Sequence, residues 1–143
     1  MLARHPNWQS LLSDYLVETA RERFAYGQLD CGLFVADAIA AMTGVDVAAD
    51  LRGKYGSRIE AFELIRAQAG LPAMEAIAEK LASDFNLHEI AILRAERGDP
   101  VMLRRGRRSS LGIVAMHGTE VLTPFRHGLL RLPLNHATRA WHV

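Results

Sequence analysis

Residues 26–34 read YGQLDCGLF and hold the chain's only cysteine. An aspartate precedes it, and the run CGLFVADAIAAM, residues 31–42, is apolar on almost every helical face. Asp30 is a natural N-cap and Thr43-Gly44 a natural stop, so the pattern predicts a helix that opens on Cys31. A helix apolar all round belongs in the middle of a domain. A thiol in its first turn meets unpaired backbone N–H groups and the positive end of the helix dipole, both of which favour thiolate. A cysteine in an apolar run is also commonly an inert core residue, and the local pattern leaves both roles open.

On the N-terminal side, Trp8, Leu11, Leu12, Tyr15, Leu16 and Thr19 share one helical face, which predicts a helix over about 8–23 with Asn7 as cap. On the C-terminal side, GVDVAADLRGKYGSR (44–58) is rich in turn residues. IEAFELIRAQAG (59–70) and, after Pro72, AMEAIAEKLASDF (73–85) predict two further helices. Beyond residue 88 the period changes. EIAIL (89–93), PVMLR (100–104), LGIVAM (111–116), TEVLTP (119–124) and GLLRLPL (128–134) are strand-length runs separated by turns. Helices followed by a meander predict an α+β fold, with the Cys31 helix packed on a C-terminal antiparallel sheet of four to five strands.

Composition bounds the function. With 143 residues, 50% of them hydrophobic, and a formal net charge of +1, the chain is expected to form one domain over 1–143. A single cysteine excludes an intramolecular disulfide framework and a multi-cysteine zinc site. The six histidines (5, 88, 117, 127, 136 and 142) show no metal-ligand spacing, so no metal or cofactor is expected. MLARHPNWQS has no apolar stretch behind its basic residues, and no eighteen apolar residues run together. The expectation is a cytoplasmic protein with no signal peptide and no membrane segment.

RRGRR (104–108) concentrates Arg104, Arg105, Arg107 and Arg108 between two predicted strands. Such a cluster is either a solvated hairpin or an anion-binding rim. The net charge of only +1 argues against a dedicated nucleic-acid binder. Asp37, the lone charge inside the Cys31 helix, needs a partner, and Arg52 and Arg58 are the candidates. Trp141 reads as a packing anchor for the last strand.

FAYGQLDCGLFV (24–35), RGDPVML (97–103) and SLGIVAM (110–116) together resemble the cysteine and strand motifs of the NlpC-type cell-wall peptidases, a papain-like group. GVDVAADLRGKYGS, a helical insert at about 45–95 and the closing PLNHATRAWHV resemble an uncharacterised branch of that group, commonly encoded in phage or prophage tail regions. The resemblance implies a papain-like fold with Cys31 at the nucleophile position, Asp30 before it, and Tyr26 and Gly27 in place of a Trp-Gly pair. It also implies gaps. Phe24 stands where a site tyrosine is usual, Ser110 aligns with the catalytic histidine, and the third polar position falls near Leu122. Serine cannot take up the thiol proton at neutral pH, and leucine cannot orient an imidazole. His117 is the nearest candidate for a relocated base. Three functions follow: a degenerate cysteine hydrolase acting in tail assembly or cell-wall contact, an active peptidase or amidase on cell-wall peptides, and a binding module built on the arginine cluster. Phage tail proteins or peptidoglycan peptides are the partners the resemblance implies, with a virion-associated location as the alternative to a cytoplasmic one.

Overall fold

Cys31–Thr43 is the helix on which the other elements pack, and its residues explain why. Leu33, Phe34, Ala36, Ala38, Ile39 and Met42 are all buried, so the helix has no solvent face broad enough to sit at the surface. The Asp30 side chain accepts the Leu33 N–H at 2.9 Å and caps its N-terminus. Gly44, left-handed at φ 78°, donates its N–H to the Ala40 carbonyl at 2.8 Å and ends it.

The computed structural model describes residues 2–143. Its helices are α1 (Trp8–Thr19), α2 (Cys31–Thr43), α3 (Arg58–Ala69) and α4 (Met74–Asp84). They precede six strands: β1 (His88–Ile90), β2 (Pro100–Arg105), β3 (Arg108–Val114), β4 (Glu120–Phe125), β5 (Gly128–Pro133) and β6 (Ala137–His142). The strands form one antiparallel sheet in the order β1-β6-β2-β3-β4-β5. The fold is α+β, as the change of period implies, but the sheet has six strands rather than four to five. The extra strand comes from ATRAWH, which pairs with both β1 and β2. EIAIL is not one strand: pairing stops at Ile90, and Ile92–Arg94 turns into a short 3-10 helix. α1 ends at Thr19, short of residue 23, and the Asn7 side chain makes no capping bond.

Strand alternation divides the apolar residues between two cores. Met102, Leu111, Ile113, Leu122 and Trp141 pack with α1 and α2, whereas Val101, Leu103, Val114, Val121 and Ala140 form a smaller cluster covered by Ile90, Ile92 and Leu134. Because both faces are covered, PVMLR reads as a continuous apolar run instead of an alternating one. Gly112 permits the close approach of β3 and β4. A Cβ there would lie 2.6 Å from Val121 Cγ1 and 2.7 Å from the Leu122 carbonyl oxygen.

The chain ends are tied to the start of β2 by one fully buried carboxylate, Asp99. Its Oδ1 accepts from Arg4 Nη2 at 2.9 Å, lies 3.0 Å from His142 Nδ1 and accepts the Val143 N–H at 3.3 Å, while Oδ2 accepts the Glu96 N–H at 2.9 Å. Removing one partner of a buried, hydrogen-bonded pair typically costs about 3–5 kcal/mol, because the other charge is left uncompensated. Asp99→Ala is therefore expected to lower unfolding free energy by about that amount in urea titration. A loss below about 1 kcal/mol would show that the network is not structural.

Candidate functional site

The segment that leads into α2 is held from three directions. The Phe24 N–H donates to the Phe125 carbonyl at 3.0 Å, which docks the segment on the end of β4. Asp30 is almost wholly buried, and besides capping α2 it accepts the Gly27 N–H at 3.0 Å and the Tyr55 hydroxyl on the same Oδ2. Gly27 has φ 80°, and a Cβ there would fall 2.2 Å from the Tyr55 carbonyl oxygen, so the backbones of the turn and of the 44–57 loop touch directly. Burial and the adjoining Asp30 carboxylate both raise the Tyr55 pKa, so its hydroxyl stays a donor.

Cys31 opens α2 on the wall of a partly enclosed cavity of about 900 Å³. Val35 and Ile39 of α2, Ile65 of α3, Ile77 and Leu81 of α4 and Leu111 of β3 contribute to the wall. The helix terminus does not win the contest over the thiol. Burial is the largest influence and the Asp30 carboxylate adds to it, while the N–H groups of Leu111, Gly32 and Cys31 pull the other way, and the thiol pKa is pushed up to about 11. At neutral pH this sulfur is a protonated thiol.

Strand register decides what faces it. Ser110 pairs with Leu103, a residue of the smaller core on the far face, whereas Ser109 pairs with Arg104 and shares the face of Leu111, towards α2 and α4. Ser109 donates its hydroxyl to Glu75 on α4, and that bond is the largest cause of the lowered Glu75 pKa. Ser110 also borders the cavity, and its Oγ is the buried side-chain polar atom left without a partner among the described residues. Leu122 packs in the main core opposite Ile113. Its neighbour Thr123 is the buried polar residue on β4, and it donates its hydroxyl to the Leu111 carbonyl at 2.9 Å.

His117 is not brought to Cys31. It lies in the turn between β3 and β4, with Nδ1 3.0 Å from Thr119 Oγ1 and Nε2 3.0 Å from Glu120 Oε1. Among the described residues no histidine lines the cavity. Asp37 serves as support: Arg52 donates to it at 2.7 Å and also holds Asp46 through Nε at 2.9 Å, joining α2 to the loop after it. Burial raises the Asp37 pKa against the opposing pull of Arg52. The other candidate partner, Arg58, instead lies over the Phe62 ring at 5.1 Å. Tyr26 stacks edge-on with Phe24 at 4.8 Å between centroids, and both line the cavity. Of the arginine cluster, Arg105, Arg107 and Arg108 reach the cavity, while Arg104 Nε donates to the Gly106 carbonyl at 3.2 Å.

Tyr55, Ser109 and Thr123 are the site residues that motif spacing misses. Two had a signal: alternation counted from Leu111 and Ile113 places Ser109 on the helix side, and the tyrosine in GKYGS is the one aromatic in a turn-rich stretch. Among the described residues there is no cluster of three or more His, Cys, Asp or Glu able to hold a metal, and no helix long and apolar enough to cross a membrane.

Fold and site together define an α+β domain with a cysteine at the N-terminus of a buried helix, facing a cleft whose far wall is a helical pair. The family model described as Domain of unknown function (DUF6950) matches residues 3–143, and the chain belongs to that family. No curated protein matches the chain.

Asp30→Ala removes an N-cap worth about 1 kcal/mol and strands the Tyr55 hydroxyl, so a combined loss of about 2–3 kcal/mol is expected in chemical denaturation. Asp30→Asn, which caps well but has one acceptor oxygen, is expected to lose less. Equal losses for the two variants would count against the three-way role.

Proposed function

We propose that the chain is a papain-like, NlpC-type domain that keeps the scaffold of a cysteine hydrolase without its proton relay, and that its cleft binds rather than cleaves. One observation carries this reading: the partly buried Cys31 thiol, its pKa pushed up to about 11, opens α2 on a cavity with no imidazole in its wall among the described residues. A nucleophilic cysteine needs a base to take its proton or surroundings that stabilise the thiolate; among the described residues no imidazole lines this cavity, and burial outweighs the N–H groups that favour the thiolate. The setting, tail assembly or cell-wall contact in a phage or prophage, is supported by the resemblance of GVDVAADLRGKYGS and PLNHATRAWHV to the tail-region branch.

The test is the pH dependence of Cys31 alkylation by iodoacetamide in the folded protein. A thiol titrating near 11 is about one part in ten thousand thiolate at pH 7, so labelling is expected to be roughly 100-fold slower than that of an unperturbed thiol and to climb steadily through pH 9–11. Labelling that saturates below pH 8, or turnover of peptidoglycan stem peptides abolished by Cys31→Ala, would overturn the reading in favour of an active hydrolase.

A further inference from the structure

We infer that the cavity beside Cys31 is a binding site for a single-chain anionic amphiphile, a long-chain carboxylate whose alkyl tail enters the cavity and whose head meets the arginines at its mouth. The inference takes the cleft as a binding site, as proposed above, and names its ligand class.

The interior and the rim differ sharply in chemistry. The interior is bounded by side chains such as Ile39, Leu64, Ile77, Leu81, Leu87 and Trp141. At about 900 Å³ it lies near the upper end of the roughly 300–1,000 Å³ typical of small-molecule sites, enough for a folded or extended alkyl chain. The rim carries Arg58, Arg105, Arg107, Arg108 and Arg126, all exposed, and among the described residues none of them forms an ion pair. The carboxylates of the wall are Asp30 and Glu75, and both are already engaged, with Gly27, Leu33 and Tyr55 and with Ser109 respectively.

Three of the guanidiniums are held before any ligand arrives. Arg105 and Arg126 lie over the Phe125 ring at 4.6 and 5.5 Å, and Arg58 lies over Phe62 at 5.1 Å. Stacking of this kind restrains the guanidinium plane while leaving its N–H fork free for a carboxylate. A concentration of one charge sign at the mouth of a low-dielectric cleft raises the local concentration of anions.

The same features disfavour other anions. A peptide would bring backbone N–H and C=O groups into an apolar interior that offers them few partners. A nucleic acid needs a broad basic surface, whereas the net charge is +1 and the Phe125 face is covered by arginine. A phosphate dianion would lose more hydration than a carboxylate at a half-enclosed mouth.

Isothermal titration of the full chain with dodecanoate, below its micelle concentration, tests this. Saturable one-to-one binding that weakens with added salt is expected. The exposed-charge variant R105Q/R107Q/R108Q is expected to lose at least tenfold in affinity, and the cavity-filling variant Ala78→Phe to lose binding, each with an unchanged circular dichroism spectrum. Acetate, which has the head alone, and dodecanol, the tail alone, should both bind at least tenfold more weakly. Dodecanol binding as tightly as dodecanoate, an unchanged triple variant, or binding of hexaglutamate or dodecyl phosphate in preference to dodecanoate would each overturn the inference. Cys31 titrating near 11 together with no dodecanoate binding overturns this inference alone. Cys31 titrating below 8 with dodecanoate bound overturns only the non-catalytic reading.

Discussion

Asp30 is the constraint on which the geometry of the cleft depends. One buried carboxylate caps α2, closes the turn at Gly27 and receives the hydroxyl of Tyr55 from the loop before α3. Two local contacts, three residues to either side, and one from Tyr55, 25 residues on, thus meet on two oxygen atoms. The direction in which Cys31 enters the cavity follows from the cap. The distance between α2 and the 44–57 loop follows from the Tyr55 bond and from the contact of Gly27 with the Tyr55 backbone. Charge-assisted bonds to a buried carboxylate are among the stronger ones in a protein, and leaving such a group unpaired is expensive, so these three contacts stand or fall together.

The same carboxylate bears on the chemistry. A helix N-terminus favours a thiolate, and the N–H groups of Leu111, Gly32 and Cys31 act in that direction. Burial and the neighbouring negative charge of Asp30 oppose them and prevail. Position at the start of a helix is therefore insufficient to make a nucleophile. A cysteine here needs a cation or a base within reach, and the cavity wall beside it instead presents Leu111, with the Ser109 hydroxyl already donated to Glu75.

What the sequence revealed follows from the range of the interactions involved. The α2 run, its cap and its stop are local, and they were legible in residues 30–44 without tertiary information. The change from period 3.6 to period 2 likewise announced an α+β order. Short strands are another matter: β1 has three residues, and β6, ATRAWH, alternates too weakly to stand out until pairing with β1 and β2 buries Trp141 and Ala140. In the site, an arginine partner for Asp37 was legible because an isolated charge in an apolar helix demands one, but Arg52 and Arg58 were equal candidates and only the fold selects Arg52. Tyr55 stands out as the one aromatic of its turn-rich segment, but its partner was not legible, since nothing there states which distant carboxylate its hydroxyl will reach. Ser109 illustrates a subtler limit: motif alignment pointed to Ser110, but in a strand a shift of one residue exchanges the two faces, and the buried positions Leu111 and Ile113 fix which face is which.

The helical pair after residue 57 gives these separate observations a common consequence. α3 and α4 are the less buried helices, with Ala61, Ile65, Ile77 and Ala82 as their buried residues; they pack on each other, and α4 also packs on β3. An amphipathic pair with so little apolar area of its own to bury depends on external ties. Those ties are side-chain bonds at the edges of the cleft: Tyr55 to Asp30, Ser109 to Glu75, and Arg139 to Glu79 at 2.6 Å. Polar contacts around the perimeter hold the pair at a distance while apolar side chains line the space between. Those bonds fix where α3 and α4 sit relative to α2 and β3, and the apolar side chains between them line the cavity.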